Sequence, residues 1–219
     1  IGNSGASGLY AAGAPGLGEK VIGVASFNNT DVMLPYFTIS PDAAPIGYSA
    51  AAGAPPPPTA GTFPLARTGT TTTLNDACSP LAPGSLAGQI ALIRRGTCTF
   101  YQKANNAQSA GAAGVVLYNS AAGRFNPTVA GSPSIIIPVV AISDTEGALI
   151  DSRLALGPVD LTWTADFSSF PNSPALAGLI SDFSSYGLSP DLALKPDIGA
   201  VTVTEAGSTD TFTVSLTAQ

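Results

Sequence analysis

Gly88-Gln89-Ile90-Ala91-Leu92-Ile93-Arg94-Arg95-Gly96-Thr97-Cys98-Thr99-Phe100 reads as a buried strand, a tight turn and the opening of a helix. Residues 89–93 form a short, mostly apolar run bounded by glycine on one side and charge on the other, the pattern of a strand covered on both faces. Thr99 is placed to cap a helix over residues 100–110, and Gly111 to close it. Phe100, Ala104, Ala107 and Ala110 fall on one face of that helix, which therefore packs through a close, alanine-lined contact. Working outward, residues 114–118 (Gly-Val-Val-Leu-Tyr) predict a second buried strand and residues 139–142 a third. The third runs into Ser143-Asp144-Thr145-Glu146, whose Ser-x-x-Glu spacing is a capping box. The helix it opens shows Leu149, Ile150 and Leu154 and ends near Gly157, and residues 159–164 alternate as a returning strand.

Upstream, residues 1–30 are Gly- and Ala-rich turns with one short strand at 21–25. Residues 32–40 alternate around Pro35, which predicts a strand at a sheet edge. Pro55-Pro56-Pro57-Pro58 is a stiff, solvated excursion. At the other end, residues 201–205 and 211–216 alternate with period two around a Gly-Ser turn, the pattern of a β-hairpin.

Charged residues are 10% of the chain, against about 25% in an average soluble protein. The solvent face is therefore built from Ser, Thr, Asn, Gln and Gly, a composition that fits an extracellular protein. A net charge of −6 argues against nucleic acid or an anionic membrane as partner. No apolar run approaches the roughly 20 residues of a membrane span. The chain has no histidine, so it carries no Ser-His-Asp or Cys-His site, and Ser4 in Gly2-Asn3-Ser4-Gly5 has no imidazole to deprotonate it. Carboxylates are scattered without the clustering a calcium loop needs, and two cysteines without histidine make no zinc site. No cofactor and no metal are expected. Cys78 and Cys98 read either as two buried thiols or as an oxidised pair. The pair would close a loop of about 20 residues, worth on the order of 3 kcal/mol.

The middle of the chain resembles the protease-associated (PA) domain, a non-catalytic module inserted in secreted subtilisin-like proteases. The resemblance runs through Cys78-Ser79-Pro80-Leu81, the stretch from Gly88 to Phe100, Lys103-Ala104, residues 107–116 and residues 137–143. The flanks are similar to subtilase segments: Gly2-Asn3-Ser4-Gly5 with Val21-Ile22-Gly23-Val24, and residues 180–187 with Leu194-Lys195-Pro196-Asp197-Ile198. By that likeness Asn3 matches the oxyanion-hole asparagine. The family continues toward a Gly-Thr-Ser-Met nucleophile, whereas here Val201-Thr202-Val203 takes over; Gly207-Ser208-Thr209 reads as a hairpin turn. The catalytic Asp and His segments of such a protease are expected before Ile1.

The resemblance implies an α+β fold, a PA-type strand-rich sandwich or open barrel with two helices. It divides the chain into a subtilase-like flank at 1–31, a PA domain at 32–165, a second flank at 166–200 and a hairpin at 201–219. It implies a disulfide between Cys78 and Cys98 and secretion. The function it implies is control of protein-substrate access to a neighbouring active site, or protein–protein contact, with no catalysis by this chain. Arg94 and Arg95 are candidates to hold a peptide carboxylate, joined by Tyr101 and by Phe125, which sits in a Gly/Pro-punctuated loop that looks mobile and exposed. The expected partners are a protein or peptide and the catalytic core of the parent protease. The two flanks are expected to pair with each other or with those of a second copy, because Val21, Ile22, Val24, Leu179, Ile180 and Phe183 need covering. Two other readings stand beside this one. One takes the chain as a secreted adhesion or scaffold protein whose tail begins a Calx-beta-like repeat, the other as one piece of an active subtilase.

Overall fold

A computed structural model describes residues 1–172 and 177–201, and these fall into two units, Met33–Phe170 and the flanks on either side of it. In chain order the strands are β1 (Val24–Phe27), β2 (Asp31–Ile39), β3 (Ala44–Gly47), β4 (Ser49–Ala50), β5 (Thr62–Arg67), β6 (Ile90–Arg94), β7 (Gly114–Tyr118), β8 (Val139–Ile142), β9 (Asp160–Pro171), β10 (Gly187–Leu188), β11 (Leu194–Lys195) and β12 (Ile198–Val201). The helices are α1 (Phe100–Ser109) and α2 (Asp144–Leu156). The expected hairpin beyond Val201, with Gly207-Ser208-Thr209, lies outside the described residues.

In the larger unit one eight-stranded sheet runs in the order β3-β2-β9-β5-β6-β7-β8-β4. Strands β5, β6, β7 and β8 are parallel to their neighbours, and β9 and β4 close this block antiparallel on its two sides. Alternate side chains split between two cores. Ile90 and Leu92 with Val116 and Tyr118 join Ile150 of α2, whereas Ala91 and Ile93 with Val115 and Leu117 join Ala104 and Ala107 of α1. Central parallel strands buried on both faces give the continuous apolar runs seen in the sequence. The first core also holds Phe37 and Ile39 from β2, Ile46 from β3, Trp163 from β9 and Ile142 from β8. In a flat sheet β2 and β8 would stand roughly 24 Å apart at the usual strand spacing, so the sheet curls around this core. The α+β fold is as expected, in its open-barrel form.

Two expectations are corrected. β2 is not an edge strand: β3 lies outside it and β9 on its other side. Pro35 removes one donor only, and its carbonyl still accepts from the Tyr48 amide at 3.0 Å. Leu149 is exposed on α2, while Ile150 is buried. The contact face of α2 is instead completed by Gly147, where a side chain would collide with the Tyr118 ring.

The helix starts match the sequence. The Thr99 side chain accepts from the Gln102 amide, and Ser143 and Glu146 make both hydrogen bonds of the capping box. Cys78 and Cys98 are joined at an S–S distance of 2.04 Å. The prolines at 55–58 form no regular structure.

In the smaller unit β1 and β12 pair in parallel, Val24 opposite Ile198, and β10 pairs with β11 antiparallel. Residues 2–5 are held by residues 183–185 through Gly5 N to Phe183 O (3.0 Å), Ser185 N to Gly2 O (2.9 Å) and Ser4 N to Ser185 Oγ (2.9 Å). The two flanks thus fold on each other through their backbones. Val21, Ile22, Leu179, Ile180 and Phe183 nevertheless remain exposed. Among the described residues no helix is long and apolar enough to cross a membrane.

Candidate functional site

The carboxyl ends of β5, β6 and β7 carry Arg67, Arg94 and Tyr118, and the chain leaves β6 and β7 through Arg95 and Asn119. Ends of parallel strands collect polar groups because the turns that follow them converge there. Each group at this edge is placed by a separate device.

Arg94 is drawn back into the unit. Its amide donates to Asp76 Oδ2 at 2.8 Å, and its guanidinium donates to the Thr73 carbonyl at 3.2 Å. Asp76 is buried and also accepts from Thr68 Oγ1 at 2.6 Å. This ties the 68–79 loop beneath β6. The loop then exposes Leu74 (64% accessible) and is closed by the Cys78–Cys98 bridge.

Arg95 points outward. Its amide donates to the Tyr118 carbonyl at 2.8 Å, one strand across, which fixes its backbone. Its guanidinium lies 6.0 Å from the centre of the Phe100 ring and 5.6 Å from that of Phe125. It also donates to Asn119 Oδ1 at 3.1 Å. Guanidinium over aromatic faces is favourable by about 0.5–1 kcal/mol at an exposed site. The Phe100 and Phe125 rings touch each other, with centres 5.2 Å apart.

The loop holding Phe125 differs from expectation. It is strapped down: Gly123 N donates to Asp144 Oδ1 (2.7 Å), Asn119 Nδ2 donates to Gly123 O (2.8 Å), and Arg124 pairs with Glu146 (2.8 Å) and donates to the Gly47 carbonyl (2.8 Å). Phe125 is half-buried against the α1 core rather than freely exposed. The capping box explains this, because Glu146 serves both the α2 N-terminus and Arg124.

Tyr101 packs over Gly131 and donates to the Pro133 carbonyl at 2.9 Å. The structure therefore brings Arg95 and Phe125 together, turns Arg94 to the 68–79 loop and commits Tyr101 to the far end of the 121–133 loop. Asn3 is exposed in the other unit, one residue before Ser4.

Sequence reasoning missed Asn119 and Lys103. Lys103 is fully buried on α1, donates to the Asp76 carbonyl and lies 3.7 Å from Cys78 Sγ. The available signal was its place between Phe100 and Ala104 on the apolar face. Among the described residues there is no cluster of acidic or sulfur side chains that could hold a metal ion.

Comparison with known proteins places this edge in context. Residues 49–150 match the PA domain. The minor extracellular protease Vpr of Bacillus subtilis is 35% identical over 116 residues, which is 52% of this chain and 13% of that protein. The PI-type proteinase of Lactococcus lactis subsp. cremoris is 30% identical over 204 residues, 86% of this chain and 10% of that protein. Among solved structures, a zinc aminopeptidase from Bacillus subtilis is 29% identical, with a TM-score of 0.44 over 67% of this chain and 33% of its own. The chain thus spans a small part of the curated relatives it matches.

Proposed function

We propose that the Met33–Phe170 unit is a non-catalytic recognition module of a secreted, subtilisin-like protease, binding protein or peptide chains near the proteolytic site and controlling their access to it. The observation that carries the reading is Arg95: an exposed guanidinium, seated over Phe100 and Phe125, at the carboxyl edge of a segment that matches the PA domain. Such an edge offers an aromatic floor for a side chain and charged donors for a carboxylate or carbonyl. The relatives that share the sequence are proteases by name.

The likeness to the PI-type proteinase covers 86% of the chain and so extends beyond the recognition unit into the flanks. That favours a protease parent over an adhesion or scaffold protein. On this reading Asn3 stands at the oxyanion position of the parent enzyme, and this chain, with no histidine, hydrolyses nothing alone. Secretion is supported by the disulfide and by a relative described as extracellular.

The test is selection of a random dodecapeptide display library on the immobilised chain, with the R95A chain as control. Enriched peptides should bind the wild-type chain at least about tenfold better than R95A, the worth of one charge-assisted hydrogen bond. No enrichment, or enrichment indifferent to R95A, overturns the assignment of recognition to this edge.

A further inference from the structure

The arginines of the larger unit are not treated alike. Arg67 is paired with Asp151 at 3.2 Å, Arg124 with Glu146 at 2.8 Å and Arg153 with Asp42 at 2.7 Å. Arg94 is satisfied by the Thr73 carbonyl. Arg95 alone of this set is both exposed and held by a side-chain amide, Asn119 Oδ1 at 3.1 Å. Among the described residues no carboxylate pairs with it, in a chain whose net charge is −6.

Asn119 is 4% accessible, and its two ends do different work. Oδ1 accepts from Arg95 and from the Ser120 amide at 2.9 Å, while Nδ2 donates to the Gly123 carbonyl at 2.8 Å. An amide both donates and accepts while staying neutral; an aspartate at the same place would accept from Arg95 equally well but cancel its charge. We infer that Asn119 is the positioning residue of the recognition edge: it fixes the Arg95 guanidinium without neutralising it, so that the edge selects anionic peptides, those presenting an Asp or Glu carboxylate to the guanidinium seated over Phe100 and Phe125. The inference rests on the recognition reading above and adds to it the charge of the ligand and the residue that preserves it.

The geometry leaves room for this selection. Only one guanidinium nitrogen, Nη1, is engaged by Asn119, and the planar fork retains further N–H donors for a carboxylate. The aromatic pair beneath restricts the side chain, which lowers the ordering cost when a ligand binds.

The probe is an immobilised library of C-terminally amidated random hexapeptides with one Asp or Glu at a fixed central position. It is compared with the same library carrying Asn or Gln there. The wild-type chain should retain the acidic library about tenfold better than the amide library, the worth of one charge-assisted hydrogen bond. N119D should bring that ratio near one. D144A loosens the same turn from its other side, through Gly123 N, and leaves Asn119 on Arg95; it should lower retention of both libraries alike and keep the ratio.

A merely structural role for Asn119 would make N119D and D144A behave alike, and that result overturns the inference. So does a wild-type ratio of one. If the wild-type chain retains both libraries equally and R95A sheds both, recognition at this edge stands and selection for anions falls. If neither library is retained, the recognition reading falls and takes the inference with it. Should N119D fail to fold, R95Q decides: it removes the charge without touching Gly123, and an acid preference that survives it refutes the proposal.

Discussion

Lys103 and Tyr118 each bury a polar group in the larger unit, and burial shifts the titration of both. Burial pushes the Lys103 ammonium below its ordinary pKa of 10.5, the charge of Asp76 works against that, and Arg94 adds to it. A base with a depressed folded pKa leaves the unfolded chain binding more protons, so this group's penalty is full below the depressed value. The penalty is relieved as pH rises from the depressed value toward 10.5. Urea unfolding between pH 7 and 10 should therefore show wild-type stability rising relative to K103M, and a constant difference would contradict it. K103A should cost about 2–4 kcal/mol at pH 7, since it leaves the Asp76 carbonyl unpaired and a cavity behind it. The Tyr118 hydroxyl is buried with no hydrogen-bond partner among the described residues, and burial holds the phenol above its usual pKa of 10. Y118F removes an unsatisfied group and should be neutral or stabilising by up to about 1 kcal/mol, measured by the same unfolding. Below pH 10 the phenol does not confuse the Lys103 measurement, because its contribution is lost only above the unfolded pKa.

At the scale of elements, α2 does more than cover a core. Ser143 and Glu146 close its N-terminus, and Glu146 then grips Arg124 while Asp144 grips Gly123. S143A should cost about 1 kcal/mol, the usual worth of a cap. E146A should cost about 3 kcal/mol, because it also strands a largely buried guanidinium. Gly147 inverts an ordinary rule. In an exposed helix Gly to Ala gains about 1 kcal/mol, but here a Cβ would stand 2.3 Å from Tyr118 Cβ. Overpacking of this kind costs about 1–3 kcal/mol, so G147A should lower the melting temperature, and a rise would show that the α2–β7 contact has slack.

For the whole molecule, the two units present different surfaces. In the smaller unit Leu9, Ile22, Leu179, Ile180 and Leu194 are exposed, and an apolar cleft of about 490 Å³ opens between β1, β12 and the start of β10. A two-stranded parallel pair is too small to bury its own faces, and exposed apolar area of this extent favours association. Light scattering should find the full chain self-associating and residues 33–170 monodisperse; two equally stable monomers would mean that the flanks need no cover. Reduction of Cys78–Cys98 opens a 20-residue loop and should cost about 3 kcal/mol in either form, read from unfolding with and without reductant.

The strands β6, β7 and β8 and both helix starts were legible in the sequence because each depends on neighbours a few residues away or on an apolar run, whereas the Cys78–Cys98 bridge, across 20 residues, was implied by the family resemblance. Strands β3, β4 and β5 were not: Ala44–Gly47, Ser49–Ala50 and Thr62–Arg67 are short and interrupted by proline or polar residues, and only the pairing partner makes them strands. The same division runs through the candidate site. Arg95 and Phe125 were visible as residue types at a turn and in a loop. That Arg95 meets Asn119 follows from the parallel register that sets Arg94 opposite Tyr118. That Phe125 lies down on Phe100 follows from the grip of α2 on the loop before it. Local chemistry is written in adjacent residues; charge left unpaired, or a lysine buried whole, is decided only when distant segments close around it, since desolvation and pairing belong to the folded neighbourhood and not to the residue.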